Sequence, residues 1–144
     1  MRTPTLTQIP PTDVVFVPAS FALLPMLTVE ENVVLPLRLA GLVTDQAWLR
    51  TVLETVELDG CADRRPGDLS RGEQLRVALA RALATRPATL VVDDLTGTID
   101  SVTRHGAIRT LRRIAEELGP AVVLATRDAA DAGFASRIVG DATP

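Results

Sequence analysis

The strongest constraint on the fold is a repeated switch of hydrophobic period along the chain. Three short, unbroken apolar runs, Val14–Val17, Thr89–Val92 and residues 121–125, stop abruptly at polar or turn residues, and helical spacing fills the intervals between them. Uninterrupted apolar runs of this length read as strands buried on both faces, and strands alternating with helices read as a parallel sheet. The expected fold class is therefore α/β. Residues 28–86, which hold no strand run, form an α-helical insert, and the Pro- and Thr-rich residues 1–12 read as a flexible arm before an ordered region at 13–144.

Two helix starts are written as capping boxes. Thr28 and Glu31 open a helix that runs toward Gly41, with Pro36 predicting a kink or a break into two parts. Ser70 and Glu73 open another, with Leu75, Ala78, Leu79, Ala82 and Leu83 along one face and Pro87 beyond its end. Between them, residues 45–58 place Trp48, Val52 and Val56 together, with Leu49 and Leu53 beside them. From Ser101 a further helix turns Ile108, Leu111, Ile114, Ala115 and Leu118 inward and stops at Gly119-Pro120. Thr96-Gly97 marks a turn, a short helix follows Ala129, and residues 137–139 are a last candidate strand.

Composition narrows the chemistry. All 15 of the Lys+Arg residues are arginine. Without lysine there is no Schiff-base chemistry, and no G-x-x-x-x-G-K-[ST] phosphate loop can be written from these residues. A net charge of −3 and 3% aromatic residues give neither an electrostatic footprint nor a stacking platform for nucleic acid, so no nucleic-acid partner is expected. One cysteine, Cys61, and one histidine, His105, exclude an internal disulfide and a His/Cys metal cluster. No run approaches the roughly 18 apolar residues of a membrane span, which predicts a cytoplasmic chain.

Ligands of open parallel sheets bind beyond the carboxyl ends of the strands, so Ala19, Asp93, Asp94 and Arg127 are expected to share one rim. His105, Cys61 and the pairs Arg64-Arg65 and Arg112-Arg113 read as ordinary surface or loop residues.

The run from Leu69 through Ser70-Arg71-Gly72-Glu73-Gln74 to Arg76-Val77-Ala78-Leu79-Ala80-Arg81-Ala82-Leu83 resembles the signature segment LSGGQ-x-x-RVAIARAL of ABC-type ATPase domains. Asp93-Asp94-Leu95-Thr96-Gly97-Thr98-Ile99-Asp100 resembles the Walker B and D-loop run D-E-P-T-G-N-L-D, and Val122 to Asp128 resembles the H-loop run ending T-H-D. Residues 20–33, with Leu35-Pro36-Leu37 and Ala40-Gly41, look like the region after the Q-loop and are most similar to the lipoprotein-release and macrolide-export branch of ABC transporters. The resemblance implies a partial P-loop NTPase-like parallel sheet with a helical signature subdomain. The family's Walker A loop precedes the Q-loop, where this chain has its Pro/Thr arm.

The departures from the pattern shape the functional expectation. At the Walker B end, Asp93 occupies the position that orients magnesium through water, Asp94 replaces the catalytic Glu as a shortened, degenerate base, and Arg127 replaces the H-loop histidine. Ala19 stands at the Q-loop glutamine and Leu95 at the following proline. A base displaced by about 1 Å can lose about a hundredfold in rate. Ser70 and Gly72 keep the signature atoms that face the γ-phosphate held by an opposite subunit, while Arg71 and Glu73 replace Gly and Gln, and Asp100 falls at the interface. Two readings stand beside each other at both places: Ser70 and Glu73 also form a capping box unaided, and Asp93 and Asp94 also cap a strand end. The stretch Phe21, Leu23, Leu24 and Met26 reads either as core or as the surface that receives a membrane subunit.

What the resemblance implies is a degenerate ATP-binding subunit without independent hydrolysis. It would bind ATP and Mg²⁺ only in a composite site with an intact ABC ATPase subunit or a second copy, beside a membrane permease subunit, at the inner face of the membrane. The alternatives are an active export ATPase whose Walker A loop comes from another or an upstream segment, and an inert fragment of a decayed transporter subunit.

Overall fold

The computed structural model describes residues 13–95 and 99–135. Strands β1 (Val14–Val17), β2 (Thr89–Val92) and β3 (Ala121–Leu124) form one parallel sheet in the order β1-β2-β3. Val17, Val92 and Leu124 lie in register, so the three strands end together. Helices α1 (Val29–Leu39), α2 (Gln46–Thr55) and α3 (Arg71–Leu83) lie between β1 and β2 in sequence, and α4 (Ser101–Leu118) connects β2 to β3. The strand–helix–strand reading and the intervening helices are thus as expected.

Local chemistry sets the helix ends. Both capping boxes are formed: Thr28 Oγ1 accepts from Glu31 N at 3.2 Å while Glu31 Oε2 accepts from Thr28 N at 2.7 Å, and Ser70 with Glu73 repeats the exchange. Asp45 caps α2 and Asp100 caps α4, whose other end closes at Gly119 with φ 91°, a left-handed value that glycine adopts without steric cost. Helix α1 runs as a single element through Pro36, so the two-part alternative gives way. Its entry is held from outside the helix: Val29 N donates to Arg64 O and Glu30 N to Ala62 O, while buried Asn32 bonds the main chain of Leu24, Leu27 and Thr28.

The core sits between the sheet and α1 to α4, around Phe21, Val33, Val52, Leu58, Leu75, Leu79, Leu83, Leu90 and Ile114. The expected inner face of α4 needs one correction. Ala115 is exposed and Leu118 only half-buried, whereas Ala107 and Thr110 are buried, because the helix turns Ala107, Ile108, Leu111 and Ile114 toward the core. The segment after β1 divides: Phe21 is buried, Leu23 packs partly against the core, and Leu24 and Met26 are exposed. After β3, residues Ala129–Phe134 make a 3-10 turn. The arm at 1–12, the turn at Thr96-Gly97 and the candidate strand at 137–139 lie outside the described residues.

Candidate functional site

The common end of the strands brings the expected rim together. Asp93 N donates to Val17 O and Ala125 N to Val92 O, each at 2.9 Å, which carries the parallel pairing one residue past the strands. Asp93 Oδ1 accepts from Asp94 N at 2.8 Å and is fixed by its own neighbour. Arg127 Nε lies 3.4 Å from Asp94 Oδ2, so the residues that follow β3 and β2 meet as an ion pair. The Arg127 side chain is 90% exposed, and solvent screening leaves such a pair worth less than about 1 kcal/mol. Ala19 lies in the turn at the end of β1, which Phe21 N closes by donating to Pro18 O.

The loop that carries Arg127 is held from beneath by a group that sequence reasoning missed. Arg104, on the first turn of α4, places Nη2 2.6 Å from Asp128 Oδ2 and Nε 3.4 Å from Asp131 Oδ1. Asp131 is only 7% exposed, and its other oxygen accepts from Thr126 Oγ1 at 2.6 Å. The Nε contact is electrostatic, without hydrogen-bond geometry. No spacing rule links residue 104 to residues 128 and 131; only the parallel crossover brings them together.

A second cluster forms where α3 and α4 begin. Ser70, Gly72, Glu73, Arg76, Val102 and Thr103 line a cleft of about 270 Å³ that Arg109 also borders. Ser70 Oγ accepts from Glu73 N at 3.1 Å, and Glu73 Oε1 accepts from Ser70 N at 3.0 Å. That backbone bond is the main cause holding the Glu73 carboxyl below its ordinary value. Asp100 caps α4 by accepting from Thr103 N and Thr103 Oγ1, at 2.8 and 2.9 Å, and the backbone bond from Thr103 likewise lowers its pKa. The first turns of α3 and α4, each with its partial positive charge, thus meet at one cleft that Arg76 and Arg109 also line, the Arg76 guanidinium lying 3.9 Å from Glu57 Oε2.

Of the expected signature residues, Ser70, Gly72 and Glu73 line this cleft and Asp100 anchors Thr103 beside it. Arg71 is turned to other work: its guanidinium stacks 4.3 Å from the centroid of the Phe21 ring and donates to Gln74 Oε1 at 3.1 Å. No local spacing joins Arg76 of the signature run to Thr103 and Arg109, although an Asp three residues before a Thr is a cap signal that points to Thr103.

Asp93 is the position at which the family resemblance expects magnesium. Among the described residues no three His, Cys, Asp or Glu side chains form a group that could hold a metal. One hard carboxylate fits an ion that takes its other ligands from water and phosphate oxygens. No helix among the described residues is long and apolar enough to cross a membrane.

Comparison with known proteins identifies the family. The ABC transporter family profile matches residues 3–97. The chain is 37% identical over 140 residues to an uncharacterized ABC transporter ATP-binding protein of Methanocaldococcus jannaschii, covering 93% of this chain and 60% of that protein. It is 43% identical over 115 residues to the lipoprotein-releasing system ATP-binding protein of Myxococcus xanthus, covering 78% of this chain and 51% of that one. It is 41% identical over 128 residues to the macrolide export ATP-binding/permease protein of Syntrophobacter fumaroxidans, covering 86% and 18%. The solved dimeric structure of the Methanocaldococcus cassette superposes with a TM-score of 0.68 at 37% identity, over 85% of this chain and 56% of that one. A second structure of that cassette is a dimer in a post-hydrolysis state bound to ADP and Pi. The chain therefore spans 60% or less of the length of each of these relatives. By these matches and by the signature helix, the strand-end acids and the parallel sheet, the chain belongs to the ABC transporter family, to the ATP-binding domain of its lipoprotein-release and macrolide-export branch.

Proposed function

We propose that the chain works as a partner-dependent ATP-binding subunit, whose signature cleft, rather than its strand-end rim, meets nucleotide held by an opposing ABC ATPase subunit. The observation that carries this reading is the convergence of the α3 and α4 N-termini with Arg76 and Arg109 around Ser70, Gly72 and Thr103. Backbone N–H groups at helix starts suit the oxygens of a terminal phosphate. The rim is less suited to turnover. Its shortened base, Asp94, is engaged by Arg127, and no lysine exists to reach the phosphates. Magnesium, when bound with nucleotide, would neutralise phosphate charge, with Asp93 orienting its water. The dimeric relatives favour an opposing subunit, intact or a second copy. Exposed Leu24 and Met26 favour a membrane permease subunit as the further partner, at the inner face of the membrane.

The test is hydrolysis by an intact ATP-binding subunit of this branch, with and without this chain. Ser70→Asp is the discriminating variant, because Asp caps a helix as well as Ser but sets a carboxylate against the phosphate. Stimulation by the wild type and its loss in Ser70→Asp, at unchanged helicity, is the expected result. Equal rates with either chain overturn the reading.

A second reading, an active ATPase with Asp94 as base and the phosphate loop from another segment, is favoured by the ordered register of the rim. Saturable binding of a fluorescent ATP analogue with Mg²⁺ by the chain alone would support it over the first.

A further inference from the structure

The crossover through α4 starts and finishes at the strand-end rim: the helix begins after β2 ends there, and β3 returns the chain to the same side. The first turn of α4 is thereby set against the loop at residues 126–131. That loop is closed by its own bonds. Thr126 Oγ1 accepts from Asp128 N at 3.1 Å and donates to Asp131 Oδ2 at 2.6 Å, Asp128 Oδ1 accepts from Ala130 N at 2.9 Å, and Asp131 N donates to Asp128 O at 3.1 Å. Arg127 is flanked by two engaged residues while its own side chain stands in solvent, so the backbone beneath it decides where its guanidinium points.

The loop sets two carboxylates, Asp128 and Asp131, against the one guanidinium of Arg104, and the Asp131 side chain is only 5% exposed. Like charges in so small a loop repel, and a buried carboxylate without its cation is strongly unfavourable. Without Arg104 the loop must open to hydrate Asp131. Arg127 is the neighbour of Asp128, and at 3.4 Å from Asp94 it has less than about 1 Å to move before the two exceed ion-pair distance.

We propose that Arg104 is a positioning residue for the rim: by neutralising Asp128 and Asp131 together it fixes the loop that sets Arg127 against Asp94, and so keeps the Asp94 carboxylate engaged. Arg104 acts through Arg127. The inference deepens the reading in which the rim is held from turnover and rests on it, since it names what does the holding.

The experiment follows the Arg127 Nε–H by NMR in the full chain labelled with nitrogen-15. Nucleotide and partner subunit are omitted, so that failure here and failure of the signature-cleft reading are told apart. Arg127→Lys assigns the signal by removing it, and Asp94→Asn gives its unpaired shift. In the wild type this hydrogen should exchange with water about threefold more slowly than in Asp94→Asn, the scale of an exposed pair. Arg104→Ala should reproduce the shift and rate of Asp94→Asn and add nothing when combined with it. Arg104→Lys keeps a charge but not the fork that reaches both carboxylates, and should fall between. Arg113→Ala, which removes exposed pairs with Glu57 and Glu117 farther along the same helix, should leave the Arg127 signal in place. Circular dichroism checks each fold, and Arg104→Lys carries the test if Arg104→Ala does not fold. Three results overturn the proposal: a folded Arg104 variant with the wild-type Arg127 shift and rate, a signal that Arg113→Ala moves as far, or one that Asp94→Asn does not move.

Discussion

Gly72 and Thr103 bring the two helix starts into contact: a Cβ added to Gly72 would lie 2.8 Å from the Thr103 Cγ2 methyl. Thr103 has little freedom to retreat, because its hydroxyl is tied to Asp100. Gly72→Ala therefore sets a gain of up to about 1 kcal/mol in helix propensity against about 1–3 kcal/mol of overpacking. We expect net destabilisation in urea melts. Thr103→Ser removes the methyl and keeps the hydroxyl, so in that background the same substitution should become neutral or stabilising. An additive cycle would show that the two residues are not coupled.

The two ion pairs near the rim should differ widely in worth. Arg104→Ala leaves Asp131 buried without its cation and should cost about 3 kcal/mol or more. Arg127→Ala, at an exposed pair, should cost less than about 1 kcal/mol. Denaturant midpoints of the two variants, at constant slope, check the ordering.

Acid should loosen the helix starts first. Glu73 and Asp100 both have folded values held below their ordinary values of 4.5 and 3.8, chiefly by backbone bonds from Ser70 and Thr103. A carboxyl whose folded value is depressed adds stability above its unfolded value and loses it as pH falls through the folded one. Amide exchange should therefore speed up at residues 71–73 as pH falls below 4.5 and at residues 101–103 as it falls below 3.8, after correction for intrinsic rates. Glu73→Gln, which keeps an acceptor without the charge, should flatten the response at α3 alone.

Trp48 offers an optical probe of how α2 sits on α3. Its Nε1 donates to Leu83 O at 3.0 Å, at the last turn of α3, and Arg86 stacks 4.4 Å from the ring centroid while pairing with Asp45. Trp48→Phe should cost about 1–2 kcal/mol through the carbonyl left without its donor. Arg86→Ala should shift the emission of this single tryptophan with a much smaller change in stability. A large loss of stability in Arg86→Ala would reverse the assignment.

Short-range chemistry was legible in the sequence. The pairs Thr28/Glu31 and Ser70/Glu73 declare helix starts because donor and acceptor are three residues apart, and the apolar runs declare strands because nothing interrupts them. Ala115 was misplaced because helical period alone tolerates a face shifted by one residue, and only packing against the core selected Ala107 and Thr110. The stacking of Arg71 on Phe21, the hold of Arg104 on Asp128 and Asp131, and the approach of Thr103 to Gly72 each join residues from separate elements. Such pairings depend on how those elements pack, which no local spacing encodes.

Arg81 also spans separate elements, and its placement has a mechanical consequence. It reaches from α3 to donate to Phe21 O at 2.6 Å and Ala22 O at 2.7 Å, and both residues hold left-handed backbone, φ 67° and 49°. Non-glycine residues adopt that conformation at a cost of the order of 1 kcal/mol each, so the guanidinium serves as a latch on a sprung turn. About three turns earlier on α3, Arg71 clamps the Phe21 ring. The helix that begins at the signature and the turn that follows the first strand are thus bolted together at both side chain and main chain, from near both ends of α3, so the turn is braced against the length of the helix and not at a single point.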